Sequence, residues 1–186
     1  MNTFPTIISR DCIGGYIYKE MNQKFSSPTI GLYMTNDDFI TFCLDLPEFL
    51  TGSLEPIESD KPYPRCKITS SKGEIKINFM HYTSLDEAIE KWQRRKLRVD
   101  YNNIKIIMDA KPNVSKDIVC RFQSIPYDKV LLSSGENIRN VKDTFCMPCY
   151  LEASPPDTLI KHSIDGRFID EYDWRTFVLK KDRIWQ

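Results

Sequence analysis

Apolar positions along the chain follow two spacings. Short β-branched runs predict strands, and apolar residues recurring every three or four positions predict helices. Thr6 to Ser9 is the first strand-like run. A helix is expected from Cys12 to about Gln23, with Asp11 as its N-cap and one side, shared by Ile13, Tyr16, Ile17 and Glu20, largely apolar. After the polar turn Ser26-Ser27-Pro28, the run Thr29 to Met34 predicts a second strand. Asn36 is expected to cap the next helix, with Phe39, Ile40, Cys43 and Leu44 as its buried stripe. Pro47 marks a break, a short helix follows to Leu50, and Gly52 stops it.

The prolines Pro56, Pro62 and Pro64 make residues 55–64 a flexible surface loop. Arg65 to Thr69 and Glu74 to Tyr82 flank Ser70-Ser71-Lys72-Gly73 and predict a hairpin, with Ile75, Ile77, Phe79 and His81 on one face. Ser84-Leu85-Asp86-Glu87 is a capping box. Its helix should run to about Val99 and turn Leu85, Ala88, Ile89, Trp92 and Arg95 inward. Ile104 to Met108 is an apolar strand broken only by Lys105 and ending at Asp109. A helix from Ser115 to about Phe122, a strand from Lys129 to Ser133, a strand within Asp143 to Glu152 and a last helix from about Glu171 to Lys180 complete the pattern. The last helix should bury Trp174, Phe177 and Val178. Strands alternating with helices predict an α/β fold, a single domain over residues 1–186 with a core at about 5–180, in which a mixed β-sheet is covered by helices.

Composition narrows the function classes. Of 186 residues, 41% are hydrophobic and 28% charged, so the chain can bury a real core. Lys plus Arg and Asp plus Glu are each 26, which leaves no global field to steer the chain to nucleic acid. No run is long enough to span a membrane, and MNTFPTIISRDC does not read as an export signal. A cytoplasmic location is therefore expected, and with it free thiols at all six cysteines, most of them buried.

The candidate chemistry centres on Cys12. A thiol at the first turn of a helix feels the positive end of the helix dipole, and Arg10 nearby would add to it. Gly14-Gly15 allows close approach of backbone or ligand. A thiolate nucleophile needs a histidine within reach, and His81 at the strand end is the candidate; the pair stands only if sulfur and ring lie within about 6 Å. Asp109 is the best-placed carboxylate to orient the ring. His162 sits in a polar segment and is expected to be exposed. The basic run on the capped helix, Lys91, Arg94, Arg95, Lys96 and Arg98, beside Trp92, reads as a solvated face paired with Glu87 and Glu90 or as an anion site. Cys146-x-x-Cys149 lacks a second Cys/His pair, so no metal is expected, and the sequence calls for no cofactor.

The stretches IISRDCIGGYIYKEM, KFSSPTIGLYM, DDFITF, INFMHYTSLDEAIEKWQRRKLRVDYNNIKIIM and DEYDW resemble the bacterial domain-of-unknown-function family nineteen-nineteen over roughly residues 5–178. Members of that family often carry an exopolysaccharide or capsule biosynthesis label. The resemblance implies an α/β fold and a place in surface-polysaccharide synthesis. The layout is similar, more distantly, to proteins labelled papain-like cysteine peptidases, through Cys12, Ser26-Ser27-Pro28 and Phe79-Met80-His81. Cys146 and Cys149 depart from the family pattern. The leading expectation is a transferase of polysaccharide biosynthesis. In it Cys12 is the nucleophile, His81 its base and Asp109 the orienting group, while Arg10, Gly14, Gly15, Trp92, Arg94, Arg95 and Arg98 hold an anionic sugar or acyl substrate. The alternatives are a non-catalytic sugar- or partner-binding accessory protein and a papain-like hydrolase.

Overall fold

A computed structural model describes residues 4–110, 114–135, 138–147, 162–163 and 166–180. The fold is α/β, with parallel and antiparallel strands covered by helices, and the two kinds of pairing are divided between separate sheets. β1 (Thr6–Ser9), β5 (Ile104–Asp109), β6 (Asp128–Ser133) and β7 (Thr144–Cys146) form a parallel sheet in the order β1-β5-β6-β7. β2 (Glu55–Pro56), β3 (Arg65–Ser70) and β4 (Gly73–Asn78) form an antiparallel sheet in chain order. The helices are α1 (Ile13–Glu20), α2 (Asn36–Leu44), α3 (Leu46–Thr51), α4 (Leu85–Lys96), α5 (Lys116–Gln123) and α6 (Trp174–Leu179). A short ladder pairs β8 (His162–Ser163) with β9 (Gly166–Arg167).

β1 and β5 are buried on both faces, which explains why they read as nearly continuous apolar runs. Side chains alternate between two cores. Ile8, Ile104, Ile106, Met108 and Leu131 face the larger core, with α2 to α5 and the hairpin. Ile7, Ile107, Val130 and Leu132 face a smaller core closed by α1 and α6. Lys105 points to the smaller side and is fully buried. Its ammonium donates to Asp128 Oδ2 at 2.6 Å and to the Lys180 carbonyl at 2.8 Å, so the odd polar residue of β5 ties down the end of α6.

Several expected boundaries move: α1 ends at Glu20 rather than about Gln23, α4 at Lys96 rather than about Val99, and α6 begins at Trp174 rather than about Glu171. Thr29 to Met34 forms no strand: residues 28–31 turn, Gly31 takes φ +79°, and a lone bridge joins Tyr33 to Asn78. β4 ends at Asn78 rather than Tyr82, because Asn78 exchanges both backbone hydrogen bonds with Tyr33 and the chain then turns. Thr35, not Asn36, caps α2, its hydroxyl accepting from the Asp38 amide. The first two residues of the proline-rich segment pair with β3 as an edge strand, where Pro56 needs no donor. The CxxC segment is described only through Cys146 in β7; Cys149 lies outside the described residues. Among the described residues no helix is long and apolar enough to cross a membrane.

Candidate active site

Cys12 follows the C-terminal end of β1, the end at which parallel sheets place their ligands. The loop between them is fixed by its own polar groups. The Asp11 carboxylate accepts from the Ile13 amide at 3.1 Å, and Ser9 Oγ accepts from the Gly14 amide at 3.1 Å while donating to the Asp11 carbonyl. Two first-turn donors of α1 are thereby satisfied. Gly14 is required by contact: a Cβ there would lie 2.6 Å from Ser9 Oγ. At the other end Asn22, with φ 51°, and the Gln23 amide on the Tyr18 carbonyl close the helix.

His81 arrives from the turn after β4. Its backbone amide donates to the Gly31 carbonyl at 3.1 Å. Next to it the Tyr82 hydroxyl donates to the Ile30 carbonyl, and Arg95 Nη1 donates to both that hydroxyl (2.6 Å) and that carbonyl (3.1 Å). This clasp binds α4, the His81 turn and the Gly31 turn together. Gly31 has no room for a side chain, since a Cβ would sit 3.1 Å from the Tyr82 ring and 3.5 Å from His81 Cβ.

The result is a Cys12 Sγ to His81 Nε2 distance of 2.9 Å, well inside the limit set for the pair. The imidazole is exposed, and no carboxylate among the described residues bonds it. Asp109 is buried at the end of β5 and does not line the cavity beside the pair.

The thiol differs from the expected activated thiolate. Burial pushes Cys12 up to about 11; Asp11 adds to the rise and Lys19 offsets part of it. Arg10 gives no help, because its guanidinium turns away to Asn36 Oδ1 (2.8 Å), Asp11 (3.6 Å) and the Tyr33 ring. Burial thus favours the protonated thiol at Cys12, with its sulfur in hydrogen-bond contact with His81 Nε2.

Beside the pair lies a cavity of about 290 Å³. Cys12, Gly15, Tyr16 and Lys19 give it one wall, at the spacing of a single helix face. Phe25, Gly31, Tyr82, Lys91 and Arg95 form the other. Of the residues expected to hold substrate, Gly15 and Arg95 reach this cavity. Arg94 is outside, paired with Glu90; Arg98 donates to the Phe25 carbonyl; Gly14 packs on β1; and Trp92 is core, stacked against Phe42 and Phe79. Lys91 sits 2.5 Å from Glu87 Oε1, and Glu87, which also accepts from Thr83, is held down at about 2.

Lys19, Tyr16 and Tyr82 were not picked out from the sequence as site residues. Spacing carried the signal for the first two, which lie seven and four positions after Cys12. Nothing local marks Tyr82. Cys12, Cys43, Cys66, Cys120 and Cys146 are free thiols. Of these five described cysteines only Cys43 and Cys66 are buried, against the expectation that most would be, and Cys120 is exposed on α5. Among the described residues no group of three His, Cys, Asp or Glu side chains is arranged to hold a metal.

The chain is 33% identical over 133 residues to an uncharacterized protein of Haemophilus influenzae, a match covering 71% of this chain and 63% of that protein's length. A family profile matches residues 1–177, and the chain belongs to that family, Domain of unknown function (DUF1919).

Proposed function

We propose that the chain is a cysteine-dependent acyl-transfer enzyme. The observation that carries this is the 2.9 Å contact between Cys12 Sγ and His81 Nε2 at the wall of a cavity. His81 takes the thiol proton as sulfur attacks the carbonyl carbon of an acyl donor. The tetrahedral adduct collapses to a thioester, and the imidazolium returns the proton to the leaving group. An acceptor hydroxyl, deprotonated by His81, then attacks the thioester and restores the thiol. With a sugar hydroxyl as acceptor the reaction is a transfer; with water it is hydrolysis. The Ile13 and Gly14 amides are spent on Asp11 and Ser9, so developing oxyanion charge is met by the cationic side chains of the cavity. The resemblance to polysaccharide-associated proteins favours the sugar acceptor, and with it a role in surface-polysaccharide synthesis inside the cell.

The test is a Cys12→Ala variant in a strain that depends on this locus, with mass spectrometry of the wild-type protein for an acyl adduct on Cys12. Loss of polysaccharide acylation together with an adduct is expected; unchanged polysaccharide and no adduct would end the proposal. A second reading, a non-catalytic binding protein, draws on the high thiol position and on the fact that no carboxylate among the described residues bonds His81. It predicts that Cys12→Ala keeps function while loss of the cavity cations does not.

A further inference from the structure

Resting on the reading of Cys12 as a nucleophile, we infer that the cavity selects a substrate bearing a compact oxyanion, a carboxylate or a phosphate, held between Lys19 and Arg95. The lining includes three cations, Lys19, Lys91 and Arg95, and no aspartate or glutamate. Arg95 is the informative one. It is only 7% exposed, yet its partners among the described residues are all neutral: the Ile30 carbonyl, the Tyr82 hydroxyl and the face of Phe25 at 5.3 Å. Burying a guanidinium without a counter-charge is costly, and structures retain such a group where an anion completes it. Both protein hydrogen bonds use Nη1, so Nη2 and Nε remain as a donor pair with the planar geometry that fits an oxyanion.

Lys19 supplies a second charge. It is exposed, has no carboxylate partner among the described residues, and lies two helical turns after Cys12 on the same face. Lys91 is different, because Glu87 neutralises it. The unbalanced charge is therefore plus two, from Lys19 and Arg95, with Lys91 in reserve. Phe25 and Tyr16 provide apolar surface next to these cations for the rest of the substrate.

Paired alkylation tests this without knowing the substrate. Iodoacetate and iodoacetamide form the same carbon–sulfur bond and release iodide, but only the first carries a carboxylate. Cys120 is exposed and serves as the reference thiol in the same molecule. The iodoacetate-to-iodoacetamide rate ratio at Cys12, read by peptide mass spectrometry, should exceed that at Cys120 by about tenfold. Lys19→Gln should bring it down toward the Cys120 value. Glu87→Gln should raise it, because it frees Lys91 while the new amide oxygen still accepts from Thr83. Protection of Cys12 by inorganic phosphate but not acetate assigns a phosphate, and the reverse a carboxylate.

Equal ratios at the two cysteines, unmoved by Lys19→Gln, or protection by neither ion would overturn the inference. The catalytic reading fails separately: there, His81→Ala leaves the iodoacetamide rate at Cys12 unchanged, whatever the ratio.

Discussion

Gly14 and Gly15 stand next to each other in the first turn of α1 and should respond to alanine with opposite signs. At Gly14 the added Cβ would meet Ser9 Oγ at 2.6 Å, Ser9 Cβ at 3.2 Å and Ile7 Cγ2 at 3.3 Å. Both neighbours belong to β1, so nothing flexible can give way. Overpacking of this kind costs about 1–3 kcal/mol. Displacing Ser9 Oγ also loses its hydrogen bond from the Gly14 amide, about 0.5–1.5 kcal/mol. Replacing a helical glycine returns about 0.5–1 kcal/mol. The net is a loss of about 2 kcal/mol, which in a chain of this size lowers Tm by about 4–8 °C. At Gly15 the nearest atom is Ile30 Cγ2 at 3.6 Å, an ordinary contact. Only the backbone term acts there, so Gly15→Ala should raise Tm by about 1–4 °C. Calorimetry reads the two signs, and iodoacetamide labelling of Cys12 adds a second measure. Gly14→Ala should slow labelling, since α1 can relieve the clash only by carrying Cys12 away from β1 and His81. A Gly14→Ala protein that melts at or above the wild type would refute the claim that helix and strand are in contact at this point.

Other outcomes are equally specific. In His81→Ala, iodoacetamide labelling of Cys12 should climb tenfold per pH unit toward about 11, because the anion is the reactive form and burial holds the thiol protonated below that point. At pH 8 it should stand about a thousandfold below its plateau, whereas the wild type should be faster and less steep there; matching profiles would show that His81 takes no proton. Trp92→Phe should cost under about 1 kcal/mol in urea unfolding, since the lost packing is offset by removing an indole N–H buried without a partner; Trp92→Ala should cost about 3–5 kcal/mol, and neither should alter Cys12 labelling. Lys105→Met should cost about 1–3 kcal/mol and expose Arg175 to trypsin before the rest of the chain unfolds, because the ammonium no longer holds Asp128 and the end of α6.

What could be read from the sequence divides along physical lines. Capping chemistry is local, so Ser84 and Glu87 marked the start of α4; at α1 the N-cap is Cys12 rather than Asp11, whose carboxylate still accepts from the Ile13 amide. β5 was visible because burial on both faces leaves an apolar run, and Lys105 stood out against it. Thr29 to Met34 looked like a strand because β-branched composition reports burial as readily as pairing; the left-handed Gly31 could not be seen from composition. Placing Arg10 beside the thiol failed because side-chain direction is settled by Asn36 and Tyr33, residues distant in the chain. The stripe on α4 joins core and cavity positions, so Trp92 and Arg95 looked alike until Phe42 claimed one and Tyr82 the other. The Cys12 and His81 pairing was readable as a proposal only, since it depends on how two sheets meet.

That meeting has a consequence for how the protein would lose and gain activity. Cys12 follows β1, His81 follows the hairpin, and the Tyr33–Met34 segment bonds to both, through the Arg10 carbonyl on one side and Asn78 on the other. The gap between the Cys12 sulfur and the His81 ring therefore acts as a gauge of docking. A slip of one body against the other opens that gap while both sheets keep their hydrogen bonds, so loss of the Cys12–His81 contact on heating should precede the loss of secondary structure. A ligand that touches both walls works in the opposite direction, as a clamp. At a hundredfold excess over its Kd it would add about 2.7 kcal/mol to the folded state, and a library of acylated, anionic small molecules could be ranked by that shift alone.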